Sequence, residues 1–220
     1  SVPPNPVSVA TPIDPFARAR RLQPGINLGN ALDAPAEGEW GLVIREEWFA
    51  LMAEAGFRSV RLPVRWSAHA LETAPYTIDE RFFVRLEQVV EQATRHRLAV
   101  VLNMHHYEEM AGDPLAHQER FVALWAQIAE RFAAAPETLY FELLNEPNLA
   151  LTAPLWNEML ATVIPVVRAS NPARTLIAGP VDWNNFRRLP DLALPADETN
   201  VIVTIHYYDP FPFTHQGAEW

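Results

Sequence analysis

Runs of apolar residues recur along the chain, and stretches with helical periodicity separate them. Residues 98–104 are apolar except for Asn103, as expected of a strand that is covered on both faces. Between such runs, apolar positions such as Trp48, Leu51, Met52 and Ala55 follow the 3.6-residue period of an amphipathic helix. Strands that alternate with helices in this way predict βαβ units, and therefore an α/β protein with a parallel sheet.

The same pattern predicts six strands, at residues 26–32, 59–63, 98–104, 139–144, 175–178 and 201–205. Polar side chains follow five of these strands. This distribution favours a (β/α)8 TIM barrel, whose catalytic groups come from many strand ends, over an open sheet with a single ligand-binding switch point.

Six strands are fewer than the eight that close such a barrel, so we expect the chain to supply strands 1–6. Residues 1–15 are expected to form a proline-rich tail, and residues 16–220 a catalytic (β/α) barrel that lacks its last two βα units. A sixth strand without a neighbour would expose unpaired N–H and C=O groups. A C-terminal segment or a second chain is therefore expected to complete the barrel.

The polar turn after the fourth strand is the strongest candidate for chemistry. Tyr140 and Phe141 give this segment strand propensity, and Pro147 ends the ladder because it has no N–H. Asn145 and Glu146 are thus predicted at the carboxyl end of the strand, where active sites form in parallel α/β proteins. A loop glutamate is ordinarily a solvated carboxylate, but the apolar neighbours of Glu146 draw this segment toward the core.

Arginine and histidine accompany other strand ends. Arg61 lies on a predicted buried strand, where it either forms a structural ion pair or orients an active-site carboxylate; the residue alone leaves both open. His105, His206 and Glu146 could together supply the three ligands of a catalytic metal. Because no His-x-His or His-Glu-x-x-His spacing is present, a site without a metal or other cofactor is the favoured interpretation.

Charge and composition narrow the range of partners. A formal net charge of −10 argues against nucleic acid or an anionic membrane surface. No apolar run approaches the ~20 residues that span a bilayer. The chain has no cysteine, so disulfides and thiolate metal sites are excluded. The proline-rich start favours a secreted or extracellular protein, and a cytoplasmic location stays open.

Tyr207 and Tyr208 follow the last predicted strand, at the same end of the sheet as Glu146. Ordinary packing is one explanation for these aromatic residues. A sugar-binding cleft is the other, because aromatic rings suit the flat apolar faces of sugars while carboxylates and amides bind the hydroxyls.

Taken together, these residues resemble glycoside hydrolase family 5, and within it the bacterial endo-β-1,4-glucanases (cellulases), some of which also cut mannan. The resemblance runs from about Phe16 to the last residue. It is carried by residues 25–32 (GINLGNAL), 61–63 (RLP), 103–107 (NMHHY), 144–147 (LNEP), 205–208 (IHYY) and 213–220 (FTHQGAEW). It implies a (β/α)8 barrel that acts as a retaining endo-glycosidase with two glutamates. The implied substrates are β-1,4-glucans, such as cellulose or mixed-linkage glucan, and also mannan or glucomannan.

The resemblance also implies roles for individual residues. Glu146 would be the general acid/base, and Asn145 would bind the 2-hydroxyl of the sugar under attack. The supporting polar residues would be Arg61, His105, His206 and Tyr208. The positions that would line the sugar cleft are Asn30, Asp33, His106, His215 and Trp220, although Asp33 stands where the family commonly has glutamate.

The nucleophilic glutamate of the family follows its seventh strand, and no residue of this chain matches it. Glu219 is a carboxylate in the same region, but the motif gives it no such role. Three interpretations therefore remain: a metal-independent endo-glucanase or a large part of one, a non-catalytic carbohydrate-binding barrel or inactive fragment, and a metal-dependent hydrolase on the same fold.

Overall fold

The structure is a computed structural model that describes residues 14–218. The predicted tail therefore lies outside the described residues, except for its last two positions. Asp14 caps the first helix by accepting a hydrogen bond from the Phe16 N–H, and Pro15 begins that helix. The first helix of the described residues thus starts at Pro15, and proline is a favoured residue at the first position of a helix.

Six parallel strands form one sheet, in the order in which they follow one another along the chain. The strands are β1 (Gly25–Asn27), β2 (Ser59–Val64), β3 (Ala99–Met104), β4 (Leu139–Glu142), β5 (Leu176–Ala178) and β6 (Val201–Val203). All six predicted strands and their parallel pairing are confirmed. Within the described residues, β1 and β6 each pair on one side only.

Helices connect the strands. They are α1 (Pro15–Arg21), α2 (Glu46–Glu54), α3 (Glu80–Arg95), α4 (Glu108–Gly112), α5 (Pro114–Arg131), α6 (Ala153–Ser170), α7 (Val181–Asn184) and α8 (Phe211–Thr214). Of these, α7 is a single irregular turn, because its last three residues are in the left-handed conformation. Two short 3-10 helices lie at Trp66–His69 and Phe186–Asp191. No helix in residues 14–218 has the length and apolar character needed to cross a bilayer.

Alternate side chains of the strands face two different environments, because successive residues of a strand point to opposite faces. The outer face packs against the helices and forms the main core, which includes Leu102, Trp125 and Phe141. A second, smaller cluster fills the inner face; it consists of Ala99, Val101, Tyr140 and Ile177, with Leu22 and Ile202 packed against it. Nearer the carboxyl ends of the strands, the inner face instead carries the buried polar residues Asn103 and Glu142, which are register partners.

The observed strand limits lie within two residues of the predicted ones, except at the end of β1. β1 ends at Asn27 and does not reach residue 32, because the chain turns at Asn30, whose φ is 62°. β2 continues through Pro63, which was expected to end it. The Arg61 carbonyl accepts a hydrogen bond from the Leu28 N–H, so it points toward β1. The backbone of Pro63, two residues later, points to the same side, but β1 has already ended at Asn27. The missing N–H of Pro63 therefore costs no hydrogen bond between strands.

The segment that begins with α1 covers the amino ends of the strands. The Arg18 carbonyl accepts from the Tyr140 hydroxyl at 3.3 Å, and Ser59 Oγ donates to the Leu22 carbonyl at 2.7 Å. Arg18 also pairs with Glu137, directly before β4, at 2.6 Å. The carboxyl ends carry no such cover in the described residues, so access to the inner face of the sheet is from that end and from the side between β1 and β6.

Candidate active site at the carboxyl ends of the strands

A cavity of about 700 Å³ runs along the inner face of the sheet between β1 and β6. Its polar lining comes from the ends of five strands, β1, β2, β3, β4 and β6. The residues that carry this lining are Asn27, Arg61, His105, Glu142, Asn145, Glu146, His206 and Tyr208. The structure thus brings together in one cavity all the residues for which the sequence predicted catalytic or supporting roles.

A buried ion pair lies at the centre of this lining. Arg61 donates from Nε to Glu142 Oε2 at 2.6 Å and from Nη2 to Oε1 at 2.7 Å, in the bidentate geometry that suits a guanidinium and a carboxylate. The same Nη2 donates to Asn145 Oδ1 at 2.8 Å, and Nη1 donates to Asn27 Oδ1 at 2.8 Å. Burial lowers the pKa of Arg61, but the hydrogen bonds and charge of Glu142 outweigh burial and leave the pKa raised.

This pair resolves the two interpretations of Arg61. It forms a structural ion pair, and through the same guanidinium it also fixes the side chain of Asn145 beside Glu146. Sequence reasoning missed the partner, Glu142. The sequence did contain an indication of Glu142. It lies two residues after Tyr140 on a buried strand, so both side chains are on the same face of the sheet, and a buried glutamate needs a partner.

Glu146 lies in the loop after β4 in a left-handed backbone conformation, with a φ of 48°. Its Oε1 is 2.6 Å from His206 Nδ1, and its side chain remains 25% exposed to the cavity. An ionised carboxylate can only accept, so Nδ1 of His206 is then the donor. The carboxylate is therefore held by the protein at one oxygen and stays accessible from the cavity.

The other ring nitrogen of His206 contacts a residue that sequence reasoning missed. Nε2 lies 3.2 Å from Asn184 Nδ2, so the neutral ring accepts from the amide while it donates to Glu146. The Asn184 carbonyl also accepts from the His206 backbone N–H at 3.0 Å. Asn184 is fully buried, and it ends a run of three left-handed residues that begins at Asp182.

Trp183 lies in the middle of that left-handed run and was also missed. Its side chain is half exposed and lines a second cavity of about 280 Å³ together with Glu146, His105 and His106. A left-handed conformation is costly for a residue with a side chain, and it recurs at functional sites in folded proteins. No sequence signal indicates this conformation, because non-glycine residues rarely adopt it.

His105 is half-buried in the wall of the cavity, and its ring hydrogen-bonds to a residue of β3. Its Nδ1 is 2.7 Å from Oδ1 of Asn103, a residue that the sequence placed only as an interruption of an apolar strand. Burial, together with the nearby positive charge of Arg61, lowers the pKa of His105 to about 2. The ring is therefore neutral, with Nδ1 donating to Asn103.

His106 follows β3 and lines the smaller cavity, and Asp33 lies beside it in the loop after β1. Asp33 is buried, and its Oδ1 accepts from the Ala31 N–H at 2.8 Å. Its Oδ2 is 3.9 Å from His106 Nε2. The edge of Trp40, which sequence reasoning did not single out, contacts His106 with ring centroids 5.6 Å apart.

The remaining predicted cleft residues are placed less uniformly. Asn30 is exposed in the turn after β1. Tyr208 is half exposed, and its ring centroid lies 5.0 Å from that of His215, which in turn stacks on Phe211. Trp220 lies outside the described residues, as does Glu219.

The metal-ligand set considered from the sequence differs from the group that converges in the structure. Glu146 and His206 are hydrogen-bonded to each other, with Asn184 on the far side of the ring. Among residues 14–218, the three donors that come within 4.8 Å of one another belong to Asp33, His105 and His106. The interpretation that combined His105, His206 and Glu146 as ligands therefore has no geometric support.

Comparison with known proteins identifies the family. The model of the cellulase family, glycosyl hydrolase family 5, matches residues 25–220. The chain belongs to glycosyl hydrolase family 5. The sequence resemblance is thereby confirmed.

Two relatives illustrate the extent of the match. Endoglucanase H of Acetivibrio thermocellus is 40% identical over 98% of this chain, which corresponds to 24% of that protein. Endoglucanase 1 of Ruminococcus albus is 33% identical over 88% of this chain and 53% of that protein. The chain thus spans about a quarter to a half of the length of these curated relatives.

Solved structures of the family support the fold. Thermotoga maritima Cel5A in complex with mannotriose is 53% identical, with a TM-score of 0.92 over 94% of this chain and 67% of that chain. The same figures apply to its structure in complex with cellobiose. The six-stranded sheet and its helices therefore match a portion of the (β/α)8 barrel of family 5, and the predicted fold class is confirmed.

We expect the Glu142→Ala variant to be strongly destabilised. Removing the carboxylate leaves the partly buried Arg61 guanidinium without its ionic partner, and the cost in the free energy of unfolding should approach the roughly 3–5 kcal/mol that is typical of fully buried pairs. Urea unfolding followed by tryptophan fluorescence measures this loss. A matched control is Glu137→Ala, because Glu137 also pairs with arginine but is 60% exposed, and exposed pairs contribute about 1 kcal/mol or less.

A double replacement separates the ion pair from its surroundings. Arg61→Met with Glu142→Leu should be more stable than Glu142→Ala, because no unpaired buried charge remains. If Glu142→Ala loses no more stability than Glu137→Ala, the pair of Arg61 and Glu142 contributes no more to the free energy of unfolding than an exposed ion pair does.

The neutral ring of His105 should make stability depend on pH. In the folded protein its pKa is about 2, whereas its ordinary value is 6.5, so between these values only the unfolded chain takes up a proton there. The unfolded state is then favoured as the pH falls, and the free energy of unfolding should decrease by up to about 1.4 kcal/mol per pH unit below 6.5 from this group.

Urea unfolding of the wild type and of His105→Gln at about pH 7 and pH 5 measures this contribution. The variant should lose less stability between the two pH values than the wild type loses. An identical pH dependence in both proteins would rule out a neutral His105 as the cause.

Proposed function

We propose that this chain is the major part of the catalytic barrel of a retaining endo-β-1,4-glucanase, with Glu146 as its general acid/base. The observation that carries the proposal is the position of Glu146: it follows a barrel strand, faces an open cavity and is held through one oxygen by His206. In the family as in this chain, the segment is Asn-Glu-Pro. The relatives that match the chain are named endoglucanases, which supports the reaction class.

The surroundings of Glu146 suit protonation of a glycosidic oxygen. A carboxyl group that first donates a proton and then accepts one from water needs one fixed orientation in both steps. His206 supplies that orientation through Nδ1, since its other nitrogen is engaged by the buried amide of Asn184. Asn145, fixed by Arg61, lies beside the carboxylate as the residue that would bind the 2-hydroxyl of the sugar.

Retention of configuration requires a second carboxylate about 5–5.5 Å from the first. Glu142 lines the same cavity, but both of its oxygens accept from Arg61 and its side chain is 3% exposed, so it cannot approach a sugar. We therefore propose that the nucleophile is a glutamate outside residues 14–218. It would come from two further βα units that close the barrel between β6 and β1, on the same chain or on a second one.

Glucan is the proposed main substrate, with mannan or glucomannan as a second. The solved family 5 structures that match this chain include one in complex with cellobiose and one in complex with mannotriose. A non-catalytic carbohydrate-binding barrel is the alternative, and it is favoured only by the absence of a nucleophile from the described residues. A reducing-sugar assay on carboxymethyl cellulose distinguishes the two functions.

The acid/base role predicts how Glu146→Gln affects two kinds of substrate. In a form of the protein that is active on β-glucan, kcat/KM for cello-oligosaccharides should fall by about 10²–10⁴-fold, because the leaving sugar needs a proton. The rate of the first step on an aryl β-cellobioside with a good leaving group should fall much less, because that group leaves without being protonated.

Glu109→Gln is the matched control, since Glu109 is an exposed glutamate on α4, at the same end of the barrel. It should leave both rates unchanged. If Glu146→Gln lowers the rates on both substrates by the same factor, Glu146 is not the general acid.

The two-carboxylate mechanism predicts the anomer that forms first. The product released from a β-1,4-glucan should initially carry the β configuration, because two successive displacements restore the original stereochemistry. Proton NMR of freshly formed product, recorded before mutarotation, measures the anomeric ratio. An excess of the α anomer at the start would show an inverting reaction and refute the double displacement.

A further inference from the structure

Three side chains of types that bind metal ions meet where the loops after β1 and β3 come together. One donor atom each of Asp33, His105 and His106 lies within 4.8 Å of the other two. Asp33 belongs to the loop after β1, whereas the two histidines follow directly after β3. Tertiary folding therefore creates this group, which no motif in the sequence indicates.

The two most buried members are already oriented by the protein. Asp33 Oδ1 accepts from the Ala31 N–H at 2.8 Å, which leaves Oδ2 directed at His106. His105 Nδ1 lies 2.7 Å from Asn103 Oδ1 and is its donor, so Nε2 keeps its lone pair. Histidine ligands in metal sites commonly donate their second ring N–H to an oxygen in this way, which fixes the ring orientation.

His106 completes the group through an unusual backbone conformation. Its φ of 49° turns the chain directly after β3, and its ring stands at 80° to the ring of His105 with centroids 4.6 Å apart. Trp40, in the loop after β1, makes a T-shaped contact with the His106 ring. The positive charge nearest to the group, Arg61, is neutralised by its bidentate pair with Glu142.

We propose that Asp33, His105 and His106 form a binding site for Zn²⁺ or a similar divalent transition-metal ion. Two imidazole nitrogens and one carboxylate oxygen are the ligand set of many open zinc sites, in which a fourth position faces solvent or a ligand. Ca²⁺ and Mg²⁺ fit poorly, because both require mainly oxygen ligands.

Only small movements are needed to close the site around an ion. Tetrahedral Zn²⁺ with bonds of about 2.0–2.1 Å places its donor atoms roughly 3.3 Å apart. Asp33 Oδ2 and His106 Nε2 are 3.9 Å apart. A small rotation of the half-buried His106 ring, which moves Nε2 by less than about 1 Å, would bring them to this distance. The His105 donor atom lies within 4.8 Å of the other two, so each of those distances must shorten by at most about 1.5 Å.

The ion would act as an inhibitor. This consequence rests on the proposed function, in which Asp33 and His106 line the sugar cleft. A metal ion on their donor atoms removes those atoms from contact with sugar hydroxyls and fills part of the cleft. Sugar and metal should therefore compete for the same wall of the cavity.

Calorimetric titration of the chelator-treated chain with ZnCl2 tests the site. The wild type should bind one Zn²⁺ through these residues, and Asp33→Asn and His106→Gln should each weaken binding at least about tenfold. Asp33→Asn keeps the oxygen that accepts from Ala31, so the loop should stay folded, and circular dichroism checks this. His96→Gln is the matched control, because His96 lies near Glu46 on the outer surface and could hold an ion there.

The variants make the outcome decisive. Unchanged affinity in both Asp33→Asn and His106→Gln, or loss of binding in His96→Gln alone, would overturn the proposed site. Co²⁺ provides an independent readout, since tetrahedral coordination gives intense visible absorption bands. These bands should appear in the wild type and be lost in His106→Gln; equal spectra in the two proteins would contradict ligation by His106.

Titration with cellotriose, with and without saturating ZnCl2, tests the competition. At a ZnCl2 concentration that just saturates the wild type, Zn²⁺ should weaken cellotriose binding to the wild type and have a much smaller effect on Asp33→Asn. Sugar affinity that is unchanged by bound Zn²⁺ would refute the inhibitory role. A chain that binds Zn²⁺ at these residues but does not bind cellotriose contradicts the proposed function and leaves the metal site standing.

Discussion

The ion pair between Arg61 and Glu142 is the interaction on which the rest of the site depends. Two charges have been removed from water inside a barrel, and such a pair persists only when nearly every donor and acceptor is satisfied. Here the guanidinium makes two hydrogen bonds to the carboxylate and one to each of two asparagines. Strands β1, β2 and β4 are thereby tied together across the inner face of the sheet, at the polar layer where the cavity begins.

That layer marks a change in what fills the barrel. Nearer the amino ends, apolar side chains such as Val101 and Ile177 occupy the inner face, and α1 covers it from below. One layer further along the strands, Asn103 and Glu142 replace them. The hydrophobic part supplies stability, and the polar part fixes the orientation of Asn145 and His105, the residues that face the cleft.

Backbone conformation then decides which side chains reach the cavity. His106, Glu146 and Trp183 all have positive φ values, and all three follow directly after strands or short strand-end loops. Such conformations cost free energy in residues with a Cβ atom, so the surrounding structure must hold them in place. At Glu146 the hydrogen bond to His206 contributes to this, and at Trp183 the N–H donates to the Pro147 carbonyl at 3.2 Å.

The sequence alone determined the fold class, the six strands with their parallel order, and the strand-end positions of Glu146, His105 and His206. Local patterns carry this information, because apolar periodicity and strand breakers act within a few residues. The predicted ends of β1 and β2 were wrong, because β1 stops before the turn at Asn30 and β2 can then include Pro63 without losing a hydrogen bond to β1. The partner of Arg61, the contact of Asn184 with His206, and the meeting of Asp33 with His105 and His106 were decided only by the tertiary structure. Each of these contacts joins residues from different loops or strands, and their distances follow from how the strands pack side by side, which no pattern within one segment records.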